Sequence, residues 1–157
     1  IEGARPILVE LQALVADSSL PSPRRSAQGI DAGRLSMVLA VVERRVGLPL
    51  AKLDVFALAV GGVRVVEPGA DLALALAVAS ALRGHPVPPD LVACGEIGLG
   101  GELRQVAHTP RRLAEAARLG FKRAVVPYSA PQEVEGIHLV RVGTLTDAID
   151  RLGLLDP

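Results

Sequence analysis

The sequence predicts one domain of the mixed α/β (α+β) class, and three observations lead there. Strand-like and helix-like segments alternate along all 157 residues. No repeat, low-complexity tract or long linker separates them, and a chain of this length fits one domain with a sizeable core. Half of the residues are hydrophobic but only 2% are aromatic, so that core must be built from Ala, Val and Leu. The expected architecture is a mixed sheet with packed helices, one domain over residues 1–157.

The elements follow in order. PILVELQALV, residues 6–15, reads as the first strand. A polar loop with prolines and the adjacent Arg24 and Arg25 comes next, and residues 27–31 are expected to pair back onto the first strand. In AGRLSMVLAVVERRVG, the residues Leu35, Val38, Leu39, Val42 and Val46 share one helical face, with Asp31 as N-cap and Gly47 as stop. DVFALAV and VRVVE read as strands around the Gly61-Gly62 bend. A helix from Asp71 to Arg83 is apolar all round and therefore buried, with a charge of the favourable sign at each end of its dipole. Ser80 within it is expected to bond back to the preceding turn. LVACGEIGL and GELRQV read as a hairpin joined through Gly100-Gly101. Thr109-Pro110 opens a third helix that Gly120 closes, and RAVVP, IHLVRVG and TLTDAIDRLG add two strands and a last helix.

Several chemistries are excluded or disfavoured. Formal net charge is zero, so there is no global pull toward nucleic acid or an anionic membrane. The longest apolar run, residues 72–82, is too short to span a bilayer. A single cysteine, Cys94, leaves no internal disulfide framework and fits a cytoplasmic location. His85, His108 and His138 lack the spacing of zinc ligands, so no metal site is expected. Gly98-Leu99-Gly100-Gly101 lies between strands and cannot offer helix N-terminal amides to phosphate. Cys94 has no histidine near it in sequence and reads as an inert buried thiol. Glu96 and Glu102 read as solvated carboxylates on opposite hairpin arms, not as an acid–base pair.

From Asp54 onward the order of features resembles the proteolytic domain of Lon, which implies a Lon protease-like fold of the ribosomal protein S5 domain 2-like type. The order is strand, Gly-Gly bend, Pro-containing turn, buried helix, Gly95-Glu96-Ile97 hairpin, helix, and Gly120-Phe121-Lys122-Arg123-Ala124-Val125-Val126-Pro127. Lon carries its nucleophilic serine in that turn and a lysine general base after the hairpin. On that pattern Glu67 and Asp71 stand where glycines are expected, Gly69 stands for the serine and Pro110 for the lysine. Glycine has no nucleophile and proline no titratable group, and Arg111 and Arg112 stay protonated. The resemblance therefore implies a protease scaffold without a catalytic residue, its turn further crowded by the negative charge of Glu67 and Asp71. A serine protease is the weakest reading.

Essentially the whole chain is similar to the C-terminal domain of the RadA/Sms family, bacterial RecA paralogues. The matches are Glu2-Gly3-Ala4-Arg5-Pro6, Pro23-Arg24-Arg25, Gly29-Ile30-Asp31, Val60-Gly61-Gly62-Val63-Arg64 through Glu67-Pro68, and Gly95-Glu96-Ile97-Gly98-Leu99. That resemblance implies a fragment of an ATP-driven DNA motor acting on recombination intermediates. It places a zinc-binding segment and a RecA-like ATPase upstream, with ATP, Mg and Zn belonging there and no cofactor in this chain. It also implies a homo-oligomer, a hexameric ring, with single-stranded or branched DNA and the recombinase RecA as partners, and no membrane.

The residues add where DNA contact would fall. Residues 104–123 hold six basic residues against one acid, and residues 24–52 hold six against Asp31 and Glu43. Candidate phosphate contacts are Arg24, Arg25, Arg44, Arg45, Arg83, Arg111, Arg112, Lys122 and Arg123. The Arg24-Arg25 loop is expected to be exposed and mobile, so that alanine there leaves the fold intact. With so few aromatics, contact is expected to phosphates and not to stacked bases. A purely structural oligomerisation domain is the alternative.

Overall fold

The computed structural model describes residues 6–157, so the Glu2-Gly3-Ala4-Arg5 motif lies outside the described residues. The mixed α/β architecture with packed helices is present, its strands divided among three small sheets of which the first is mixed. In the first, β1 (Leu11–Asp17) pairs antiparallel with β3 (Leu53–Ala59), which pairs parallel with β2 (Arg25–Gln28). In the second, β4 (Leu91–Ala93), β7 (Arg123–Pro127) and β8 (His138–Val142) run parallel in the order β4-β7-β8. The third is a short antiparallel ribbon of β5 (Glu96–Ile97) and β6 (Leu103–Arg104). Four helices pack on them: α1 (Ala32–Val41), α2 (Asp71–Arg83), α3 (Thr109–Arg118) and α4 (Leu145–Arg151).

Four expectations about strands are corrected. The first strand begins at Leu11, not at residue 6, because β3 offers seven partners and the register Leu11↔Ala59 to Asp17↔Leu53 uses all of them. Residues 27–31 do not return to β1. The central place belongs to β3, whose Val55, Ala57 and Ala59 point into the core, and β2 joins its far side with Arg25↔Val55. VRVVE makes only the bridge Ile30↔Val65, since Gly61 and Gly62 turn the chain just before it and Pro68 ends it. Finally, LVACGEIGL is not one hairpin arm. It breaks at Gly95, whose amide donates to the Gly69 carbonyl while its own carbonyl receives Leu72 N–H, which sends β4 and β5 into different sheets.

The helices follow their sequence signals closely. Asp31 accepts from the Arg34 amide and starts α1, which continues as a π-helical turn (Val42–Val46) until Gly47 takes the left-handed conformation at φ 88°. Leu35, Val38, Leu39 and Val42 on the expected face are buried. Helix α2 buries Leu72, Leu74, Ala75, Leu76, Val78 and Ala79, as its uniform apolarity requires. Ser80 bonds forward, its hydroxyl donating to the His85 carbonyl at 2.6 Å, because Gly84 curls the chain back over the helix end. Pro110 sits in the first turn of α3. The main core joins α1, α2, α4 and the first sheet, and a satellite core of Leu113, Ala116, Ala124, Val126, Ala130 and Ile137 lies under α3.

One buried polar cluster ties these parts. Asp71, only 2% exposed at the start of α2, receives the Arg34 guanidinium from α1, with Nε to Oδ1 at 3.1 Å and Nη2 on Oδ2. The Ile97 amide of β5 donates to the same carboxylate at 3.2 Å. Burial pushes the Asp71 carboxyl above its ordinary range, and Arg34 and the amide pull it back. Removing one partner of such a pair leaves a buried charge uncompensated. Arg34→Ala is therefore expected to lower the unfolding free energy in urea by about 3 kcal/mol, and Arg34→Met with Asp71→Leu to cost less than the single change.

Candidate functional site

The turn that raises the functional question is a single 3₁₀ turn, Pro68–Ala70, leading directly into α2. Gly69 is buried in it, facing α3. A Cβ built on Gly69 would lie 3.0 Å from Arg112 Nη1 and 3.1 Å from Val106 Cγ2. The Arg112 side chain, 17% exposed, is anchored at three points: Nη1 and Nη2 donate to the two Glu67 carboxylate oxygens at 3.0 and 3.2 Å, and Nε to the Ala107 carbonyl at 3.0 Å. A side chain on residue 69 would therefore press on the guanidinium and on Val106, which must give by a few tenths of an ångström. Pro110 is exposed in the first turn of α3, one residue past the buried Thr109, whose hydroxyl donates to the Val106 carbonyl. Beside it, Gln105, His108, Pro110, Ser129 and Pro131 line an open depression of about 620 Å³.

Glu67 and Asp71 do not crowd this turn with unbalanced charge, as the sequence suggested. Each has its own arginine, Arg112 and Arg34, so the two carboxylates are neutralised in place. Cys94, half-buried just beyond β4, is held above the usual thiol range by burial, although it lies against Arg112. That opposes nucleophilic chemistry. In the β5–β6 hairpin, Glu102 bonds Arg104 and the Gly100 amide and is not paired with Glu96.

The nine candidate phosphate contacts differ in exposure and in what they bond. Arg24 is exposed, as expected, but tied to the domain: its guanidinium meets Asp54 at 2.9 Å and lies 5.6 Å over the Phe56 ring. Arg25 opens β2 and donates to the Leu50 carbonyl at 2.9 Å, with Nη1 buried. Alanine at either position therefore removes a structural bond. Arg83 donates to the carbonyls of Leu154 and Leu155, Arg112 holds Glu67, and Arg123 meets Asp90 at 2.8 Å. Arg44, Arg45, Arg111 and Lys122 are exposed, Arg45 with Nε on the Leu99 carbonyl at the tip of the β5–β6 hairpin. Sequence counts of basic residues could not make this division, because the carboxylate or carbonyl partner is often tens of residues away.

Comparison with known proteins places this geometry. Residues 38–130 match the family model described as subunit ChlI of Mg-chelatase, which runs from the last turn of α1 through β7 and includes the turn at Gly69. DNA repair protein RadA of Haemophilus influenzae is 51% identical over 150 residues, that of Escherichia coli K12 50% over 150, and that of Synechocystis 50% over 149. The aligned part is 94% of this chain in each case but 33%, 33% and 30% of the relative. The chain belongs to the RadA/Sms family and spans about a third of the length of these curated relatives. Among the described residues, no helix is long and apolar enough to cross a membrane.

The Asp54–Arg24 pair carries a pH signature. The Arg24 backbone N–H donates to Oδ1 at 2.7 Å, and this bond, then the guanidinium, holds the Asp54 carboxyl down at about 2 against an ordinary 3.8. A carboxyl lowered by folding adds stability above its unfolded value and loses it as pH falls toward the folded one. The stability advantage of the parent over Asp54→Asn should be full near pH 6 and shrink steadily between about pH 4 and 2. Urea midpoints of both proteins across that range test it.

Proposed function

We propose that this domain is a non-proteolytic, Lon-like module of a DNA repair protein, gripping DNA phosphates without sequence preference and helping its parent close into a ring. Close identity to proteins named DNA repair protein RadA along nearly the whole chain carries this reading. The parent would be an ATP-driven DNA motor with helicase activity on recombination intermediates. Its RecA-like ATPase and zinc-binding segment, and hence ATP, Mg and Zn, would lie outside this chain. The non-proteolytic part is supported by Gly69 and Pro110 at the two dyad positions and by the guanidinium beside Gly69. With Pro110 at the lysine position, a restored serine would lack the base that the Lon pattern supplies.

Phosphate contact is best supported at Arg44, Arg45, Arg111 and Lys122, whose side chains are exposed. Arg25, Arg83, Arg112 and Arg123 are only partly exposed and contribute to DNA binding chiefly through the fold, while Arg24, exposed but paired with Asp54, stands between the two sets. A neutral domain binds weakly by itself, and repetition around a hexameric ring would add avidity on single-stranded or branched DNA. RecA would be a further partner of the assembled parent.

Titration with single-stranded and forked DNA over a range of salt should show affinity falling steeply with salt, with little dependence on sequence. Changing Arg44, Arg45, Arg111 and Lys122 together to alanine should lower affinity and flatten the log–log salt slope by roughly one unit for each phosphate no longer neutralised. An unchanged slope would favour the purely structural alternative. Sedimentation of the chain should show association that grows with concentration; a strict monomer throughout counts against the ring. A serine-directed phosphonate should leave the protein unlabelled.

A further inference from the structure

Gly69, Glu67, Arg112, Val106 and Cys94 form an arrangement that the DNA reading does not use. Glu67 and Gly69 belong to the turn before α2, Cys94 to the end of β4, and Val106 and Arg112 to α3 and the segment before it. The slot between them is narrow. A Cβ on residue 69 would stand in tight contact, 3.0 Å from the end of a flexible arginine and 3.1 Å from the stiffer Val106. The guanidinium reaches this place from the side of α3, whose buried residues belong to the satellite core, and grips a carboxylate on the turn before α2, whose helix lies in the main core. Its fork matches the carboxylate with two parallel bonds, a geometry lysine cannot reproduce. It also lies against the thiol of Cys94, the chain's single cysteine.

We infer that Arg112 is a removable plug: clamped by Glu67 and the Ala107 carbonyl, its guanidinium fills the volume that a side chain on residue 69 needs and covers Cys94. Gly69 and Arg112 are then one unit. The absent side chain makes room for the guanidinium, and the guanidinium replaces the missing packing while linking the two cores across the slot. A plug held by an ion pair and one carbonyl can swing out without unfolding either core, because its stem is long and its charge is well solvated outside. When it swings out, the half-buried thiol becomes more accessible to solvent.

Cys94 reports the plug directly. Its rate of reaction with a disulfide reagent such as dithiobis-nitrobenzoate should rise by about tenfold in Arg112→Ala, and by less in Glu67→Gln, where one side of the clamp weakens. Val38→Ala, a cavity on α1 in the main core, should destabilise the protein without comparable acceleration; equal acceleration would mean general loosening and overturn the plug. A second readout is packing. Gly69→Ser should lower Tm by about 5 °C in the parent, and by less than half as much when Arg112 is already alanine. Additive losses would overturn the proposal, as would an unchanged thiol rate in Arg112→Ala. Should Arg112→Ala fail to fold, Arg112→Lys keeps the charge and stem but loses the fork, and its thiol rate must still exceed the parent's.

Discussion

A carboxylate out of water binds the structure together. Asp71 stands at the first position of a helix that is otherwise almost wholly apolar, and it takes the Arg34 guanidinium and the Ile97 amide at once. Those partners come from α1 and from the β5–β6 ribbon, so one side chain fixes the angle of α2 against both. Burial opposes the charge and the arginine restores it. The turn at Pro68–Ala70 inherits its position from this arrangement, since α2 begins where the turn ends. Gly95, stitched to Gly69 and Leu72 by backbone bonds, completes the frame on the other side.

Arginine does in this protein what aromatic residues do in many others. With only 2% aromatic residues, the contacts between elements lack large rigid side chains. Arg24 spans β2 and β3 through Asp54 and Phe56, Arg83 ties α2 to the carbonyls of Leu154 and Leu155, and Arg123 joins Asp90. Arg112 closes the space next to Gly69. Each guanidinium offers up to five donors on a long apolar stem, which suits it to bridging elements over small Ala and Val surfaces. A neutral net charge is compatible with this use, because most such arginines are matched by a carboxylate.

Local signals carried much of the fold. The N-cap at Asp31, the stop at Gly47, the uniform apolarity of α2 and the Thr-Pro start of α3 are each written within one turn of chain, and each helix is found where they stand. Pairing was less legible. Nothing within RSAQ tells that β2 joins β3 in parallel, since the choice is made by which strand occupies the centre of the sheet. The break at Gly95 was hidden for the same reason: its partners, Gly69 and Leu72, lie more than twenty residues earlier. In the site, the missing side chain at Gly69 could be read directly, but its replacement by Arg112 could not. A pair of adjacent arginines looks alike in sequence whether one faces a carboxylate 45 residues away or solvent.

The main core has a consequence for the order in which the domain can be finished. Leu145, Ala148, Ile149 and Leu154, all nearly solvent-free, pack with α1, α2 and the first sheet, although they are made long after those elements. During synthesis the N-terminal sheet, α1 and α2 therefore wait with an open apolar face while the whole parallel sheet β4-β7-β8 is produced. Only when α4 emerges, with Arg83 reaching the carbonyls of Leu154 and Leu155, is that face closed. A nascent chain halted just before Leu145 would hold every strand and three of the helices and still lack a complete core, so α4 governs whether it is committed to the native state.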